Sequence, residues 1–285
     1  MTVAVALRTT SFAILAADSK LTTRVFVGQD PSGAAQFVNQ TYDNAIKIVQ
    51  DASGVAIAVV AGTASLGKLS IMDYIASSSV PISKKTDEQE QLISDFAEGI
   101  AGLRAAYWKQ TKVPDTDWPA TVVMMAVASP SSYEPMVWRL VFTTEHATIE
   151  RILQTPNIYL EGSSAEAFSL LYGYSIDVAN ALGAALIVNG QAVGEDAIYQ
   201  ALRQIKILKP IDKLSLDFMP IQDAIDLATF IANTQVQMER FLPGEPFCGG
   251  PIDIMVLKTA LAREILWLPG KTIHHPGVER RSRHA

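Results

Sequence analysis

The chain has 285 residues, 49% of them hydrophobic and 18% charged, which is enough for one large domain with a sizeable core. A formal charge of −6 gives no reason to expect a nucleic acid or an anionic membrane as partner. The single cysteine, Cys248, excludes an internal disulfide framework and fits a reducing, cytoplasmic setting. The four histidines, His146, His274, His275 and His284, are not spaced with Cys, Asp or Glu as metal ligands, so no metal and no cofactor is expected.

Residues 3–17 are rich in apolar side chains but lack a basic region in front, and Arg8, Thr9, Thr10 and Ser11 divide them. A hairpin is expected there rather than a secretory signal. No run approaches the roughly 20 apolar residues of a membrane span. Short Val-, Ile- and Ala-rich runs predict strands over 2–8, 12–17, 45–49 and 54–61, with a loop at 28–33 inside a longer hairpin. Helices are expected over 64–77, where Leu66, Leu69, Ile71, Met72 and Ile75 form a stripe, and over 86–112, opened by an acidic first turn. Strands follow over 120–128, 136–142, 147–152 and 158–160. Helices return at 164–174, 194–207 and 220–240, the last with Ile221, Ala224, Ile225, Ala228, Ile231 and Ala232 at helical spacing. A strand pair over 252–258 and 262–268 closes a single domain of residues 1–270, and the basic stretch 271–285 reads as a flexible tail. This order suggests two packed sheets with helices on both outer faces.

Removal of Met1 would leave Thr2 as the first residue. A hydroxyl and a free α-amino group on one residue can serve as nucleophile and base together. The same stretch of chain carries Ala16-Ala17-Asp18-Ser19-Lys20 and Asn44-Ala45-Ile46-Lys47-Ile48, an acid and a lysine where a terminal threonine needs them. Further along stand Val59-Val60-Ala61-Gly62-Thr63-Ala64, Gly162-Ser163-Ser164 and Cys248-Gly249-Gly250-Pro251-Ile252-Asp253-Ile254.

In this order the motifs resemble the proteasome β-subunit and HslV group of N-terminal threonine nucleophile hydrolases, as a divergent bacterial-type relative. The resemblance implies an α+β, four-layer αββα sandwich and a threonine peptidase that cuts peptide bonds through an acyl-enzyme. It implies Thr2 as nucleophile, Lys47 as the cation that lowers the pKa of the α-amine, Asp18 as the holder of Lys47, and Gly62 N–H as oxyanion donor. Ser163, Glu245 and Cys248 would form the supporting set, with Glu245 and Cys248 replacing the aspartate and serine usual at those places. Lys20, Leu21, Val60 and Ala64 would line the substrate site, Val60 hinting at an apolar preference. Relative to the family, residues 28–39 and 176–217 are insertions. The resemblance also implies a homo-oligomeric ring acting on peptide or protein substrates, its unfoldase partner unknown. Two other readings stay open: the same nucleophile acting on small amides or in acyl transfer, and a non-catalytic assembly subunit that keeps Met1.

Overall fold

The computed structural model describes residues 2–29, 35–83, 86–112, 118–128, 134–188, 191–193, 195–204, 211, 214–259, 263–268 and 270. Two five-stranded antiparallel sheets form its centre. The first runs in the order β12 (Asn157–Gly162), β1 (Val3–Arg8), β2 (Phe12–Asp18), β15 (Ile252–Lys258) and β16 (Glu264–Leu268). The second runs β11 (Ala147–Leu153), β10 (Pro135–Phe142), β9 (Thr121–Ala128), β6 (Ala56–Gly62) and β5 (Ile48–Gln50). Three two-stranded sheets stand apart from these: β3 (Leu21–Gln29) with β4 (Ala35–Tyr42), β7 (Ser65–Leu66) with β8 (Leu69–Ser70), and β13 (Ile187–Val188) with β14 (Gln191–Ala192). Six α-helices are described: α1 (Ile71–Ser77), α2 (Thr86–Thr111), α3 (Ala165–Tyr172), α4 (Ile176–Ala185), α5 (Glu195–Gln204) and α6 (Ile221–Glu239).

Every residue of β1 and β2 is buried, so the polar–apolar alternation of a one-sided strand is missing. The two faces differ instead in size. Val3, Val5, Leu7, Phe12 and Ile14 pack with Ala224, Ala228 and Ile231 of α6. Ala4, Ala6, Ala13 and Ala17, with Leu15 among them, face the second sheet, where Ile57, Val59 and Met124 fill the space the alanines leave. The opposite face of β6, with Ala58 and Val60, packs with Ile71 and Ile75 of α1 and Ile93 and Ala97 of α2. Asp51, 1% exposed, fixes the turn between β5 and β6 by accepting the N–H groups of Val55 (2.8 Å), Ala56 (2.9 Å) and Val80 (3.0 Å).

The expected α+β four-layer αββα sandwich is corrected to a mixed α/β protein with several antiparallel sheets. The three small sheets lie outside the two large ones, and α4 and α5 bury Tyr174, Ala179 and Ile198 in a cluster of their own. Apolar side chains that satisfy each other locally have no need of a place against either large sheet. Other boundaries shift for local reasons. The helix expected over 64–77 begins only at Ile71, because Gly67 (φ 68°) turns the β7–β8 hairpin and Ser70 Oγ accepts the Met72 N–H to cap α1. Residues 176–185, expected as part of an insertion, form α4 behind a Ser175 cap. The tail 271–285 lies outside the described residues. Among the described residues no helix is long and apolar enough to cross a membrane.

Replacing Asp51 by alanine would leave three buried backbone N–H groups without their acceptor. We expect a loss of about 3 kcal/mol in urea unfolding, whereas a loss near zero would mean that water replaces the carboxylate.

Candidate active site

Thr2 sits at the entry to β1, 4% exposed, and its backbone is held from two sides. Its carbonyl accepts the Ser163 N–H at 2.8 Å, and the next amide, Val3 N–H, donates to Asp18 Oδ1 at 3.1 Å. Register brings this about: Val3 pairs with Gly162, and Ala4 with Ala17. Gly162 is required for the approach. Its φ is 77°, and a Cβ there would stand 1.9 Å from the Thr2 carbonyl oxygen.

Asp18 closes β2, 1% exposed. Its Oδ1 accepts from Lys47 Nζ at 2.8 Å as well as from Val3 N–H. Its Oδ2 accepts the N–H groups of Gly249 (2.9 Å) and Lys20 (3.2 Å). Burial pushes the Asp18 carboxyl above its ordinary value, and the charge and hydrogen bond of Lys47, with the two N–H donors, offset part of that rise. Lys47, 7% exposed, lies just ahead of β5 rather than inside a strand beginning at 45, and its carbonyl accepts the Val60 N–H at 3.0 Å. Lys47 is thus held at its backbone carbonyl and at its ammonium.

A pocket of about 140 Å³ opens between these elements. Thr2, Lys47 and Gly62 line it, together with Lys20, Leu21, Val60 and Ala64, and with Ser70 and Met72 at the start of α1. Gly62 ends β6 at φ 83°, where a Cβ would meet the Ala120 carbonyl oxygen at 2.4 Å. A threonine and a buried lysine that line one pocket, rimmed by a glycine backbone, are residue types suited to attack on a carbonyl.

A second polar cluster lies behind Ser163. Glu239, near the end of α6, accepts from Ser163 Oγ and from the N–H groups of Cys248 (2.8 Å) and Phe247 (2.5 Å). Gln235, one turn earlier, donates to Glu239 at 3.2 Å and accepts the Glu166 N–H at 2.9 Å, which ties α6 to the start of α3. Burial raises the Glu239 carboxyl, but hydrogen bonds from Ser163, Cys248 and Gln235 outweigh it and hold the group below its ordinary value. Cys248 is 1% exposed, and burial together with the Glu239 charge pushes its thiol far up, so it stays protonated at neutral pH. Glu245, expected in this set, is exposed, and the carboxylate beside Ser163 and Cys248 is that of Glu239. The sequence does carry a signal for this. Gln235 and Glu239 continue the buried face of α6 past Ala228, Ile231 and Ala232, and polar residues on an apolar stripe need partners.

No protein-family model matches the chain, and no curated protein matches it. Among solved structures, Anbu (ancestral beta-subunit) from Yersinia bercovieri is similar over 94% of this chain and 86% of that chain, at 11% identity and a TM-score of 0.45. An Anbu (Gly-1) mutant from Hyphomicrobium sp. strain MC1 is similar over 94% and 88%, at 12% identity and a TM-score of 0.47. Likeness at this level establishes neither a family nor a four-layer sandwich. Membership in the proteasome β-subunit and HslV group, expected from the motifs, is corrected accordingly.

Two outcomes are expected. Gly162→Ala forces Thr2 away from Ser163 and lowers the unfolding free energy by about 2 kcal/mol or more; a crystal structure of a stable variant with Thr2 unmoved would contradict this. For Glu239, a folded pKa below the unfolded value means stability present above the unfolded pKa and lost as pH falls through the folded one. Wild type should therefore exceed Glu239→Gln by about 2 kcal/mol at neutral pH, with the gap closing below about pH 4. A gap independent of pH in urea titrations would contradict it.

Proposed function

We propose that the chain is a threonine-type hydrolase of peptide bonds, with Thr2 as nucleophile once Met1 has been removed. One observation carries this reading: a single carboxylate oxygen, Asp18 Oδ1, holds both the amide that follows Thr2 and the ammonium of Lys47. That bridge fixes the position of Thr2 relative to a buried cation, and both line one pocket.

The chemistry follows from the groups present. Thr2 Oγ attacks the substrate carbonyl carbon, and its proton passes to the Thr2 α-amine, directly or through water. Lys47 favours the developing negative charge on Oγ and keeps the α-amine unprotonated. Gly62 N–H faces the carbonyl oxygen as it gains charge, since no side chain stands in the way. Collapse expels the amine half of the substrate with the transferred proton and leaves an ester on Oγ. Water then attacks the ester carbon and gives a proton to the α-amine, and that proton passes to Oγ as the C–Oγ bond breaks, which releases the acid and restores the hydroxyl and the free amine. Ser163, held by Glu239, supports the Thr2 carbonyl through its N–H and is a positioning residue. Lys20, Leu21, Val60 and Ala64 form the wall against the substrate side chain.

Hydrolysis of fluorogenic peptides tests the assignment. Thr2→Ala should abolish turnover, Thr2→Ser should keep part of it, and Lys47→Met should lower kcat by about a hundredfold or more. Undiminished hydrolysis by Thr2→Ala would overturn the proposal.

A further inference from the structure

We infer that the Lys20 ammonium receives a carboxylate of the substrate, so that the group entering the Thr2 pocket is anionic. This deepens the Thr2 reading and rests on it. Among the described residues that line the pocket, two are lysines and none is an acid. The two lysines differ in their partners. Lys47 is paired with Asp18 at 2.8 Å. A carboxylate offers about four lone-pair positions, and those of Asp18 are taken. Val3 N–H and Lys47 Nζ donate to Oδ1, and Lys20 N–H and Gly249 N–H donate to Oδ2. Asp18 therefore holds the backbone of Lys20 and has no place left for its ammonium.

Lys20 lies between β2 and β3 and is only 8% exposed. Its stem runs along Gly249, where a Cβ would stand 3.2 Å from Lys20 Cδ. Among the described residues the ammonium has no hydrogen-bond or ion-pair partner, yet it is not sealed inside the protein. The open space that Lys20 lines is the Thr2 pocket. An ammonium drawn out of bulk water is costly unless an opposite charge meets it. The protein supplies none here, and a ligand in the pocket can.

The walls narrow the choice of anion. Leu21, Val60 and Met72 are apolar, and the pocket's 140 Å³ equals the liquid volume of roughly five waters. A short aliphatic stem ending in a carboxylate suits such walls. A phosphate calls for more donors than one ammonium provides. The chain's formal charge of −6 does not draw anions from a distance, so selection falls to this local contact. The stem and carboxylate can belong to a glutamate side chain in a polypeptide or to a small dicarboxylic acid monoamide.

Anilides test this, with glutamate, glutamine or leucine supplying the attacked carbonyl at the end of an acetylated dipeptide. Wild type should favour glutamate over glutamine by about tenfold or more in kcat/KM, Lys20→Met should erase that preference, and Lys20→Arg should keep most of it. Glutaryl anilide and its neutral carboxamide, compared in the same way, separate the sources. Whichever acid is cut faster names the source, and either supports the inference. Equal rates within both acid–amide pairs, or a preference for the acids that survives in Lys20→Met, would overturn it. Binding is read separately on the Thr2→Ala chain, by calorimetry with N-acetylglutamate and N-acetylglutamine. If the acid binds about tenfold more tightly and Lys20→Met removes the difference, while wild type cuts no anilide, the Thr2 assignment fails and the Lys20 assignment stands. If anilides are cut without regard to charge, the reverse holds.

Discussion

The candidate site depends on the carboxylate of Asp18. It gathers Val3 at the start of β1, Lys20 after β2, Lys47 before β5 and, from the far end of the chain, Gly249 before β15. Burial works against its charge, and the donors around it work in favour. Removing Lys47 would leave a buried acid without its counter-charge, a change of the kind that destabilises by about 3–5 kcal/mol. Fold and site therefore share one interaction. The pair that aims an ammonium beside Thr2 also fastens both large sheets at the amino-terminal end.

The surroundings explain how Thr2 is so firmly placed. β1 lies between β12 and β2 in its sheet and is buried on both faces, with alanines toward the second sheet and larger side chains toward α6. Ser163 N–H and the Gly162 backbone then close on the Thr2 carbonyl. The two buried carboxylates shift in opposite directions. For Asp18 the loss of water dominates, whereas Glu239 has enough donors to outweigh it. The Cys248 thiol, pressed upward by burial and by Glu239, contributes a packed, neutral side chain rather than a second nucleophile.

Much of the strand order was legible because β1, β2, β6, β9, β10 and β15 are compact apolar runs bounded by turn residues. The pairing of Asp18 with Lys47 was implied by the motif resemblance, and not by the spacing of charged residues along the chain. What failed was local or long-range. Apolar spacing over 64–77 mimicked a helix, while Gly67 and Ser70 set a hairpin and a late cap. Glu245 had a favourable place in the sequence, but Glu239 reaches Ser163 because α6 carries its side chain onto the buried face. The arrangement of α4 and α5 depends on which aromatic and aliphatic groups find each other across 168–202, and periodicity in single segments does not encode that pairing.

The proposed chemistry requires that Thr2 carry a free α-amine. Its most direct test is the intact mass of the purified chain before and after reaction with a peptide epoxyketone, with the adduct mapped to its residue. A chain lighter by one methionine residue, with a single adduct on Thr2, is the expected result. A chain that retains Met1, or that carries no adduct on Thr2, would contradict it.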